Sequence, residues 1–152
     1  MRPYFIAKIL IVKEKNIMNL VEKLLAVDKK EFDRIEKKEI ASRQLSRLLG
    51  VDAKVTIQAI DGETFGHMYA SGLDRKNEVD YNRLFDTNAK VAAAGIVEPD
   101  LKNDALLKYL GVATPADAAK KIFKGEINKI AAEVTQLSGF GDEETTDEEI
   151  KN

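Results

Sequence analysis

The chain has 152 residues, 24 basic against 26 acidic, for a net charge of −2, and it contains no cysteine and a single histidine. Its length suits one domain that buries roughly 70% of the unfolded chain's surface. The near balance of charge gives no general attraction to nucleic acid or anionic lipid. The missing thiols exclude disulfides and thiolate chemistry, and fit a reducing compartment.

The opening Arg2 to Val12, RPYFIAKILIV, is basic and then apolar, but KEKN follows where a small-residue cleavage site would stand. Secretion is therefore not expected. The apolar run is also far short of the ~20 residues of a membrane span. We expect translation to begin at Met18, with Lys13-Glu14 read as AAG-GAG, a ribosome-binding sequence, and the next three codons as spacer. N-terminal sequencing of native protein checks this, and an intact Met1 would overturn it. Residues 1–17 are then an extension, 18–140 a single domain and 141–152 a tail.

From Asn19 the local signals improve. Asn19 and Glu22 form an Asn-x-x-Glu capping box ahead of a short apolar helix with Leu20, Val21, Leu24, Leu25 and Val27. Asp28 to Lys38 is charge-rich and reads as a solvated helix face or linker. Ile40 to Ile60 admits two readings. One is a helix-turn-helix over residues 42–60, with SRQLSRLL first, a turn at Gly50 and a DNA-reading helix after Asp52. The other follows Val55, Ile57 and Ala59, which alternate with polar neighbours at a period of two and make a strand. A recognition helix AKVTIQAI would carry only Lys54 as a cation and Gln58 as a base-reading amide. The strand is favoured, with Glu39 to Ala41 as its partner and Asp61-Gly62 as a turn.

Phe65, Met68 and Tyr69 stand at helical spacing, with Gly66 weakening the signal. His67 beside them reads as a surface histidine, because no second imidazole or thiol exists to share a metal. Asn77 and Asp80 start the longest helix, whose face is Tyr81, Leu84, Phe85, Asn88 and Ala92, and Gly95 ends it. Ile96 to Glu98, before Pro99, is expected as an extended, hinge-like link with Glu98 at the surface.

Three short helices follow. Asn103 caps DALLKYL and Gly111 stops it. Thr114-Pro115-Ala116-Asp117 sets a hydroxyl at the N-cap, a proline at the first helical position and a carboxylate against the dipole. Gly125 is expected to break that helix. Ile127, Ile130, Ala131, Val134 and Leu137 then recur on one face up to the Ser138-Gly139-Phe140 stop, whose aromatic can fold back. The whole is mainly α, of the α+β class: a bundle of short helices with one small two-stranded β element around residues 39–60. The tail GDEETTDEEIKN carries too little apolar surface to order itself.

Four segments, VEPDLK at Val97, TPAD at Thr114, GEINKI at Gly125 and LSGF at Leu137, resemble the XkdN-like tail assembly chaperones of phages and defective prophages. RQLSRLLG and DAKVTIQAIDGE precede them in the order that family shows. The likeness runs from Met18 to Phe140. It implies a non-enzymatic protein of the host bacterial cytoplasm that holds the tape measure protein soluble, helps tail tube protein assemble around it, and is absent from the finished particle. No phosphate-cradling loop or nucleophile motif speaks for an enzyme, and no cofactor, metal, nucleic acid or membrane is expected as a partner. Tyr109, Phe123, Leu137 and Phe140 are the expected client-facing residues, and short helices with apolar faces make a homo-oligomer an expectation as well. A DNA-binding regulator using residues 42–60 is the rival.

Overall fold

The computed structural model describes residues 19–140. The expectations placed on residues 1–17, on a start at Met18 and on the acidic tail 141–152 lie outside them. Contacts divide the chain into two units, one reaching to Arg34 and one beginning at Ile35.

The first unit holds α1 (Leu20–Leu25) and α2 (Lys29–Phe32). The Asn19 side chain accepts from the Glu22 amide at 2.9 Å and that of Asp28 from the Lys30 amide at 3.0 Å. These caps satisfy donors that a helix start leaves orphaned. Neither helix buries a residue.

The second unit begins with β1 (Lys37–Ala41), α3 (Arg43–Leu49) and β2 (Lys54–Gln58). Val55 and Ile57 are fully buried between more exposed neighbours, as the period of two requires. β1 and β2 pair antiparallel with Ile40 opposite Val55. Because Lys54–Gln58 is a strand, the second helix of a helix-turn-helix does not exist, and the DNA-reading alternative falls with it. Only its first helix, α3, is real. Gly50 closes that helix at φ +74°, with its amide donating to the Ser46 carbonyl at 2.8 Å.

Next come α4 (Gly62–Ala70) and α5 (Tyr81–Gly95). Asp61 is not a turn residue but the N-cap of α4, accepting from the Thr64 amide at 2.7 Å and its hydroxyl at 2.9 Å. Those hydrogen bonds, the amide first, hold the Asp61 carboxyl below the usual carboxylate range. α5 starts later than Asn77: Asp80 caps it through the Asn82 amide, while Asn77, at φ +62°, belongs to a loop closed by the Asp74 carboxylate. An asparagine tolerates that left-handed conformation, which a helix start does not use.

The chain leaves α5 directly into β3 (Ile96–Glu98), expected as a link but paired antiparallel with β2, Ile57 opposite Ile96. The sheet therefore has three strands, ordered β1-β2-β3, rather than two. Glu98 is exposed, as expected. α6 (Asp104–Leu110), α7 (Pro115–Phe123), a 3₁₀ turn (Lys124–Glu126) and α8 (Ile127–Leu137) complete the unit. Asn103 and Thr114 cap α6 and α7 through the amides of Leu106 and Asp117. At Gly111, φ +71°, the Val112 amide donates to the Leu107 carbonyl and that of Gly111 to Lys108, the paired bonds of a Schellman stop. The break after α7 falls on Lys124, at φ +50°, and not on Gly125.

The core gathers small and large side chains from all these elements: Val55 and Ile57 from the sheet, Ala89 and Ala92 from α5, Ala118, Ala119 and Phe123 from α7, and Ile127, Ile130 and Val134 from α8. Alanines on α5 and α7 let helices approach closely, and Gly95 carries this furthest. A Cβ at Gly95 would lie 2.5 Å from Val134 Cγ2 and 2.6 Å from Cγ1. Both residues are buried, so neither can turn away. We expect Gly95→Ala to lower stability by about 1–3 kcal/mol through overpacking. Urea denaturation checks it, and Val134→Ala in the same chain should recover part of the loss.

Candidate interaction surface

The surface is framed by three polar fastenings. Ser42, buried at 2% exposure, caps α3 through the Leu45 amide at 3.1 Å. Its hydroxyl donates to Glu126 Oε1 at 3.1 Å, and the Glu126 carboxylate also accepts from the amides of Arg43 at 3.2 Å and Gln44 at 2.6 Å. The carboxylate of the GEI segment thus occupies the anion position at the start of α3, where orphan amides and the helix dipole favour negative charge. The reversal at Lys124 is the step that delivers it there. One turn further along α3, the Ser46 hydroxyl accepts from the Ala53 amide at 2.8 Å and donates to the Ser42 carbonyl at 2.7 Å. At the other end of the unit, the Ile60 amide donates to Ser138 Oγ at 2.8 Å, tying the end of α8 to the entry of α4.

That last bond brings aromatic rings together. After α8, Gly139 takes φ +89°, and the Phe140 amide donates back to the Thr135 carbonyl at 3.0 Å. The Phe140 ring then stacks on Phe65 of α4, with centroids 4.5 Å apart and planes at 18°. Phe65 in turn stacks on Tyr69, at 5.1 Å and 30°. Tyr69 and Phe140, at the two ends, remain 48% and 42% exposed. A ladder of rings exposed at its two ends, with Phe65 half-buried between them, accepts apolar and aromatic side chains with little further ordering.

Of the four residues expected to face a client, Phe140 alone joins this ladder. Tyr109 stands on α6 with 88% of its surface exposed, and Leu137 is half-buried against the core. Phe123 is fully buried. It packs in the core of this structure because α7 turns its Ala118, Ala119, Ile122 and Phe123 side inward. Phe65 and Tyr69 were visible in the sequence only as a helical spacing. Nothing local ties them to a phenylalanine 75 residues away.

The ion pairs of the second unit are at least partly exposed. Lys38 pairs with Glu133 at 2.8 Å, and Lys120 donates to Asp86. The Lys120 ammonium, by hydrogen bond and then by charge, holds the Asp86 carboxyl below its usual range. His67 is exposed, 4.0 Å from Glu63. Among the described residues no group of three His, Cys, Asp or Glu is placed to hold a metal, and no helix is long and apolar enough to cross a membrane. What the second unit offers is apolar: the ladder and Tyr109. In the first unit, taken by itself, Leu20, Val21, Leu24 and Leu25 of α1 are each more than half exposed.

A family model described as phage XkdN-like tail assembly chaperone protein matches residues 21–151. No curated protein matches the chain. The crystal structure of the protein YqbN, a Northeast Structural Genomics Consortium target, is similar, with a TM-score of 0.50 at 20% identity over 70% of this chain and 89% of that one. At that identity the likeness is one of fold.

Proposed function

This chain belongs to the phage XkdN-like tail assembly chaperone family, and we propose that it works by binding the tape measure protein and keeping that long helical client soluble while tail tube protein assembles around it. The observation that supports this reading is the exposed aromatic ladder of Phe140, Phe65 and Tyr69. A tape measure protein built of long helices presents apolar stripes that aggregate when bare, and rings fixed on a folded body can cover such stripes reversibly. Tyr109, fully outside the core, is a second contact on this reading. Binding of this kind requires no catalytic group, takes place in the host cytoplasm, and ends with the chaperone left out of the finished particle.

Co-expression with the tape measure protein encoded nearest downstream tests the proposal. The client should become soluble and co-purify, and the variants Phe140→Asp and Tyr109→Asp should release it with helicity unchanged. A client that stays insoluble beside the wild-type chain would sink the reading.

A further inference from the structure

We propose that Gly66, on the exposed face of α4, is the point where one helix of the client crosses this chain with its backbone close to that of α4, an inference that deepens the chaperone reading above and rests on it. A glycine inside a helix is destabilising relative to alanine. Nothing in the fold requires one here: Gly66 has no positive φ, and a Cβ built on it would meet no atom within 4 Å. Gly62, one turn earlier, is different, because a Cβ there would touch the Phe140 ring at 3.5 Å. A residue that weakens its own helix and serves no contact within the folded chain marks a functional position.

At about 100° per residue, the side chains of α4 fall into four rows. Thr64 and Met68, half-buried, form the inner row, Met68 against the core. Opposite them Gly62, Gly66 and Ala70, all exposed, form the floor of a groove. The Phe65–Tyr69 row, which carries the ladder, is one wall, and the Glu63–His67 row is the other. A ridge of partner side chains fits such a groove at interaxial distances of about 8–10 Å, and the bare backbone at Gly66 lets the two axes come nearer. The chemistry of the walls selects the occupant. The ladder takes an apolar stripe, while the Glu63 carboxylate, with 88% of its side chain exposed, favours a cation. The groove therefore fits an amphipathic helix of the tape measure protein with a small residue at the crossing, apolar residues on one flank and lysine or arginine on the other.

Substitution at Gly66 should move stability and binding in opposite directions. Gly66→Ala should raise the melting temperature of the chain by about 2–5 °C. It should nevertheless shorten the half-life of the chain on immobilised tape measure protein, taken from the co-expression, about tenfold. Gly66→Leu, whose side chain also meets open space in the folded chain, should melt no lower than the wild type and capture no client. Glu63→Lys should lower capture at low salt, with the deficit shrinking at ~0.5 M salt. A Gly66→Ala chain that melts lower than the wild type overturns the proposal, since the fold itself would then need the glycine. So do a Gly66→Leu chain that holds the client as long as the wild type and a Glu63→Lys chain that captures it equally well at low salt. The ladder is judged separately: if Phe140→Asp releases the client while Gly66→Leu keeps it, the ladder is a contact and the groove is not. If the wild-type chain captures nothing, the chaperone reading falls and takes this one with it.

Discussion

Phe123→Ala should lower the unfolding free energy by about 3–5 kcal/mol, the range for truncating a buried phenylalanine. The ring has no exposure, and it shares the core with Ile57 of the sheet and Ile127, Ile130 and Val134 of α8. Tyr109→Ala, by contrast, should change stability by less than about 0.5 kcal/mol, as exposed substitutions do. It should nevertheless reduce client capture. Urea titration followed by circular dichroism, beside the pull-down, separates the two effects. A Phe123→Ala chain that stays stable but drops its client would return Phe123 to the binding surface.

Glu126→Ala should cost about 2–3 kcal/mol, since hydrogen bonds to charged groups are the stronger ones and their loss strands part-buried partners. Three donors would be abandoned at once: the amides of Arg43 and Gln44 and the hydroxyl of Ser42. Hydrogen exchange localises the effect. The Arg43 and Gln44 amides should lose protection more than those of α8, on whose threshold Glu126 sits. Glu126→Gln keeps an acceptor oxygen but no charge, and should fall between. If Glu126→Ala proves as stable as the parent, water has replaced the carboxylate and α3 is held by Ser42 alone.

Much of this fold was legible wherever the signal is local. The caps at Asn19, Asn103 and Thr114, the stops at Gly50, Gly111 and Gly139, and the inward alternation of Val55 and Ile57 all depend on residues within a turn or two of one another. Where the reading departed from the structure, the deciding partner was distant. Ile96 to Glu98 is too short to show a period, and it becomes a strand because β2, some 40 residues earlier, offers a free edge. Asp61-Gly62 has the composition of a hairpin turn, but no strand follows to pair with β2 there, so the same aspartate caps a helix. Gly125 was the expected break, yet Lys124 adopts the positive φ, in the turn that ends with Glu126 bonded to the start of α3, 80 residues and more away in sequence.

The candidate surface was less legible for the same reason. Tyr109 and Phe123 are aromatic residues of similar size on short helices, and spacing alone gives them equal claims. Only the packing of α7 against α5 and α8 decides that one is interior and the other bare. The ladder is harder still to foresee, because it joins residues from α4 with the third residue after α8.

The long fastenings also order events in time. Lys38 is held by Glu133, Ser42 by Glu126 and Ile60 by Ser138, spans of 95, 84 and 78 residues. Closing such spans demands chain entropy before any contact repays it. A ribosome making this protein releases the β1-α3-β2 segment well before α8 exists to receive it. The nascent chain therefore carries Val55 and Ile57 bare until nearly all of residues 19–140 have emerged, and folding follows synthesis instead of accompanying it. A protein that shelters another chain's apolar surface passes through its own unsheltered interval first, and its yield in the cell should fall when translation is slowed between β2 and α8.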